Sequence, residues 1–131
     1  MKAEFLPHGK CSFAVEDNII SIDATGPWNL EFFKKMHADL TSIIINDVDY
    51  QNFAVLLILR GLPLATKNAL DYHVKFVSTG QTKALAIYSS LSESPAIAEN
   101  IFQKAYYQAG LKSKSFDSPD AAKKWLTSQL A

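Results

Sequence analysis

Phe53-Ala54-Val55-Leu56-Leu57-Ile58-Leu59 is the segment that most restricts the fold of this chain. It is apolar at every position, so it does not alternate as a strand with one wet face would. It is also too short for a typical helix and is bounded by polar or turn residues on both sides. A continuous run of this length fits a strand covered on both faces, as parallel sheets require. Arg60-Gly61-Leu62-Pro63 is expected to end it.

The flanking patterns supply the covering layers. Phe13-Ala14-Val15 and Ile19 to Ala24 read as a hairpin around Glu16-Asp17-Asn18, with Ile20 and Ile22 alternating with Ser21 and Asp23, and Gly26-Pro27 as the stop. Leu30 to about Ile45 follows as a helix. Asn29 is its N-cap, Glu31 lies in its first turn, and Leu30, Phe33, Met36 or His37, Leu40, Ile43 and Ile44 form its stripe. Ala65 to Val77 reads as a second helix and Lys83 to Tyr88 as a second buried strand. Ser94-Pro95 opens a third helix that Gly110 closes. Lys112 to Phe116 is expected to be an edge strand, guarded by its lysines. Ser118-Pro119-Asp120 opens a last helix carrying Ala122, Trp125, Leu126 and Leu130. The order β-β-α-β-α-β-α-β-α predicts an α/β sandwich around a five-stranded mixed sheet with four helices. At 131 residues, with no linker or repeat, 1–131 is expected to form one domain.

That order and its ends resemble the SpoIIAA-like (STAS) domain superfamily, in particular its stand-alone bacterial branch, which shares its topology with CRAL-TRIO lipid-transfer domains. The likeness is carried by Ile19 to Trp28, Phe53 to Gly61, Lys83 to Tyr88, and Phe116-Asp117-Ser118 through Ala122-Lys123-Lys124-Trp125-Leu126. It implies a regulatory or protein-interaction module, and through the lipid-transfer topology a binder of a small apolar or lipid-like ligand. Phosphorylatable members carry an Asp-Ser-Ser/Thr-Gly-type motif at the helix start after the third strand. Here that loop reads Arg60-Gly61-Leu62-Pro63-Leu64-Ala65-Thr66-Lys67, without the Asp or the Ser-Gly, and Thr66 is the nearest hydroxyl to which a phospho-switch would carry over.

Charge narrows the function classes. Thirteen basic and thirteen acidic residues cancel, and Arg60 is the only arginine, which disfavours nucleic acid as a partner. No segment is long and apolar enough to span a membrane, Met1 to Lys10 lacks the apolar core of a signal peptide, and Cys11 stands alone, so a cytoplasmic setting is expected. No nucleophile elbow, dinucleotide fingerprint, Walker loop or zinc-protease motif occurs. His8, Cys11, His37 and His73 lack metal-ligand spacing and read as surface or helix-flank histidines and a small strand-embedded thiol. The chain is therefore expected to be non-enzymatic, with no cofactor and no metal.

The remaining candidates are structural or binding residues. Asp23 reads as an outward-facing strand residue, and Trp28 as a lid over the core or a pocket wall. Phe32, Tyr106 and Tyr107 lie off the apolar stripes and suggest a homodimer patch. In open α/β sheets ligands gather beyond the carboxyl ends of the strands, where helix N-termini favour anions. This places a ligand or anion edge at Arg60, Thr66, Lys67, Ser89, Ser90 and Ser94, with Trp28 beside it and Arg60 or Lys67 as the charged contact.

Overall fold

The computed structural model describes residues 6–131. The expectation drawn from Met1 to Lys10 rests in part on residues 1–5, which lie outside this range. The elements are β1 (Lys10–Glu16), β2 (Ile19–Trp28), α1 (Leu30–Asn46), β3 (Ala54–Ala65), α2 (Lys67–Ser78), β4 (Leu85–Tyr88), α3 (Pro95–Ala109), β5 (Ser113–Phe116) and α4 (Pro119–Leu130). The sheet order is β1-β2-β3-β4-β5. β1 pairs antiparallel with β2, and all other neighbours are parallel. This is the expected five-stranded mixed α/β architecture, with the apolar run at its centre.

Because each parallel strand is added on the same side of the last, right-handed crossovers place α1, α2 and α3 on one face. Val55, Leu57 and Leu59 point into that face, against Phe33 and Met36 of α1, Ala69 of α2 and Phe102 of α3. Ala54, Leu56 and Ile58 point to the other face, against Ala122 and Leu126 of α4. Alanines 54, 84, 86 and 122 let α4 lie close to the sheet. Asn52 Nδ2 ties the end of that helix by donating to the Leu130 carbonyl at 3.1 Å. Asp17 and Asn18, both at positive φ, make the two-residue hairpin turn. Gly110, at φ 75°, closes α3 in the left-handed conformation.

Two expected stops are not stops. β2 continues through Gly26-Pro27 to Trp28, and β3 continues past Arg60 to Ala65. Gly26 pairs with Gly61, and after a register shift Trp28 pairs with Ala65. The two glycines make this extension possible. A Cβ on Gly26 would collide with the Leu62 carbonyl, and Gly61 sits at φ 73° with Gly26 oxygen only 2.8 Å from where its Cβ would be. The sequence signal for a break marks a close approach of two backbones.

The aromatic residues are also redistributed. Phe32 and Tyr106 are buried in the core and cannot form a dimer patch, while Tyr107 alone of the three is exposed, at 86%. α1 packs on both the sheet and α2, so its buried arc is wide enough to take in Phe32 as well as Phe33. His37 and His73 are buried too, correcting their assignment to the surface or helix flanks.

Candidate functional site

Two places in the molecule gather chemically capable groups. The first is a notch of about 560 Å³ at the carboxyl edge of the sheet, where the β2–β3 extension meets the starts of α1 and α2. Its apolar floor is Pro27, Trp28, Leu30, Leu64 and Ala65, and its polar rim is His8, Asn29, Glu31, Thr66 and Asn68. Asn29 organises the rim. Its Oδ1 accepts from the Phe32 N–H at 3.0 Å, capping α1, and from the His8 N–H at 2.8 Å, while its Nδ2 donates to the Leu6 carbonyl at 2.9 Å. Thr66 caps α2 by accepting from the Ala69 N–H at 3.4 Å, and its hydroxyl donates to Asn68 Oδ1.

Trp28 closes the notch from below and is 2% exposed. Its ring packs edge-on against Phe102, at 5.4 Å and 84°, and tilts against Phe32 at 6.3 Å. The Cδ1 and Cε2 atoms lie against the backbone of Gly9 and Gly26, where a side chain would not fit. The indole N–H between them is buried without a hydrogen-bond partner among the described residues. Trp28 is thus both core lid and pocket wall.

The other expected edge residues do not converge on this notch. Arg60 stands on β3, on the α4 side, and its Nε donates to Asp23 Oδ1 at 2.7 Å. Asp23 is the outward strand residue expected, and it holds the Arg60 guanidinium further up in pKa. Lys67 is paired with Asp71 at 2.8 Å and lines the groove between α2 and α3. Ser89 is buried, Ser90 is exposed, and Ser94 sits at the N-cap of α3 without a side-chain bond. Ser92, not singled out in the sequence, does the tying instead. Its Oγ donates to the Gly61 carbonyl at 3.2 Å and accepts from the Ser94 N–H at 3.2 Å. Among the described residues Glu31 is the one carboxylate lining the notch, and Arg60 and Lys67 are paired with Asp23 and Asp71 instead. The notch suits an apolar or weakly polar group better than an anion.

The sheet also lacks the reversal of strand order that opens a crevice in doubly wound folds. The notch arises from the long β2–β3 extension, a feature that strand order alone does not reveal.

The second place is a buried polar chain across the three-helix layer. His37 Nε2 and His73 Nδ1 share a hydrogen bond of 2.7 Å, and His73 Nε2 bonds the Tyr106 hydroxyl at 2.9 Å. His37 lies flat on Phe76, with ring centres 3.8 Å apart, and stacks on Tyr72 at 5.2 Å. His73 stacks on Phe33 at 4.6 Å. His37 Nδ1 is buried with no hydrogen-bond partner among the described residues.

The proton positions follow from counting. If Tyr106 donates to His73 Nε2, His73 Nδ1–H donates to His37 Nε2, and a single N–H on His37 is left unbonded. The reverse order strands both the tyrosine proton and a His37 lone pair. The first arrangement leaves fewer buried groups unsatisfied and is the favoured one. Burial holds the His37 pKa down to about 4. Burial, reinforced by the His37 ring, holds His73 down to about 3. Burial pushes the Tyr106 hydroxyl up. Burial also raises the half-buried Cys11 thiol, with a smaller contribution from Asp39, so it is a poor nucleophile. Among the described residues no three His, Cys, Asp or Glu side chains come together as a metal set. No helix among them is long and apolar enough to cross a membrane.

No family model matches the sequence, and no curated protein matches it significantly. Among solved structures the chain is similar to an uncharacterized protein of the DUF3478 family with a SpoIIAA-like fold, from Shewanella loihica PV-4. The identity is 16%, the TM-score is 0.62, and the match covers 96% of this chain and 99% of that one. The fold is therefore SpoIIAA-like, as the sequence resemblance implied.

Proposed function

We propose that this chain is a non-catalytic interaction module that presents the carboxyl-edge notch to a protein partner. The observation that carries this reading is the open notch of about 560 Å³ with an apolar floor, on the same edge as the exposed Leu62, Leu64 and Leu91. Exposed apolar side chains gathered beside a concave surface mark interaction sites more often than isolated ones do. A non-enzymatic role is supported by where the reactive groups sit. His37, His73 and Tyr106 are sealed in the core, and Arg60 and Lys67 are engaged with carboxylates. A cytoplasmic setting fits the single free Cys11.

A second reading, a small apolar ligand in the same notch, is favoured by its volume, which falls within the roughly 300–1,000 Å³ usual for ligand pockets. Native mass spectrometry of protein purified from its own host separates the two. A co-purified polypeptide supports the interaction module, and a doubled mass identifies the partner as a second copy. A small added mass supports the ligand. An added phosphate that maps to Thr66 supports a switch at the start of α2. The bare chain alone, from cells in which the protein is abundant, counts against both readings.

A further inference from the structure

α2 is the least embedded of the three helices on its face. Its only fully buried side chains are Ala69 and His73, whereas α1 buries Phe32, Phe33, Met36, His37 and Leu40. Beneath its second half lies an apolar cavity of about 60 Å³, walled by Met36, Leu40, Phe76, Val77, His73 and Tyr106. On its flank an open groove of about 420 Å³ separates Leu70 and Val74 from Ile101 and Lys104 of α3. With slack on both sides, the hydrogen bonds of His73 to His37 and Tyr106 are the main polar ties joining α2 to α1 and α3.

We propose that the His37–His73 pair is an acid-operated latch that holds α2 against α1, and that proton uptake by the pair releases α2 from the helical layer. The bond at 2.7 Å requires one of the two facing nitrogens to lack a proton. One added proton can be shared between them, and the stacked faces of Phe76 and Tyr72 receive its charge. A second proton gives both facing nitrogens a hydrogen, removes the bond and sets two positive rings 5.0 Å apart in a buried layer. Among the described residues no carboxylate bonds either ring. The titratable groups facing the pair are Tyr72 of α2 and Tyr106 of α3. The ion pairs on the same two helices, Lys35 with Asp39 on α1 and Lys67 with Asp71 on α2, are exposed to solvent. His37 and His73 are held neutral in the closed form, so acid favours the form in which both rings reach water.

The test is hydrogen exchange of the full chain between pH 7 and pH 5, corrected for intrinsic rates. The amides of Leu70–Ser78 are expected to lose at least tenfold more protection than those of Val55–Leu59, and the doubly substituted His37→Phe, His73→Phe protein is expected to lose this difference. Equal loss in both segments, no loss in α2, or an unchanged response in the double variant overturns the latch. If the double variant does not fold, imidazole nitrogen NMR of the unaltered protein decides. The α2 amide shifts must follow the titration of His73, and shifts that instead follow His8 overturn the proposal.

Discussion

Acidification should cost this protein a large share of its stability well before its carboxylates are protonated. His37 and His73 are neutral in the folded chain, with pKa values lowered to about 4 and about 3, and they return to the ordinary value near 6.5 when the chain unfolds. The unfolded state therefore binds more protons in the window between these values. Stability that is intact above about pH 6.5 falls as pH drops, and the loss is complete below the folded pKa values. Each ring fully excluded from protonation loses about 2 kcal/mol between pH 7 and pH 5, so the pair loses up to about 4 kcal/mol, and about 2 if a shared proton is tolerated. Domains of this kind carry only about 5–15 kcal/mol in total. Urea unfolding at the two pH values, followed by circular dichroism, measures the difference directly. A change below about 1 kcal/mol would refute the claim that both imidazoles are held neutral in the core. The same slope persisting after His37→Phe and His73→Phe would place its origin elsewhere.

Other substitutions test the framework. Ser118→Ala removes the bond that its side chain accepts from the Ala121 N–H at 3.1 Å and should cost about 1 kcal/mol, whereas Ser94→Ala should cost almost nothing by thermal unfolding. Leu57→Asp places a charge in the most enclosed strand and should cost several kcal/mol, leaving little folded protein by size exclusion. Gly26→Ala drives a methyl group into the Leu62 backbone and should destabilise by about 1–3 kcal/mol, with amide shifts concentrated in the β2–β3 extension. Asp23→Asn breaks a largely exposed ion pair and should change stability by at most about 1 kcal/mol.

The layer structure is legible in the sequence because burial on two faces leaves an uninterrupted apolar run, and proline and serine mark two helix starts. The limits of the strands are less legible. Gly26-Pro27 and Gly61-Leu62-Pro63 have the composition of turns, yet the paired glycines let two backbones approach and carry the ladder onward. The aromatic assignments fail for a related reason. One helical stripe accounts for one buried face, but α1 is buried against both the sheet and α2, and α3 turns Tyr106 inward to meet His73. His37 and His73 stand 36 positions apart and have no local spacing that would pair them. The one available signal was that each lies on the apolar stripe of its own helix. At the candidate site, Trp28 and Thr66 both line the notch, while Arg60 is held by Asp23 on the opposite face of the sheet and Lys67 by Asp71 in the next groove. Ion-pair partners 37 positions apart are not visible in a linear reading.

The notch at the carboxyl edge is the central claim, and an amide NMR titration tests it most directly. The full chain would be titrated separately with inorganic phosphate, with decanoate as an apolar-tailed probe, and with a partner recovered from the host. Shifts are expected to centre on Trp28 to Glu31 and Leu64 to Asn68 for the partner or for decanoate, with little response to phosphate because Glu31 lines the rim while Arg60 and Lys67 are held by Asp23 and Asp71. Shifts confined to the amino edge of the sheet or to the α4 face, or a phosphate response centred on Arg60, would contradict it.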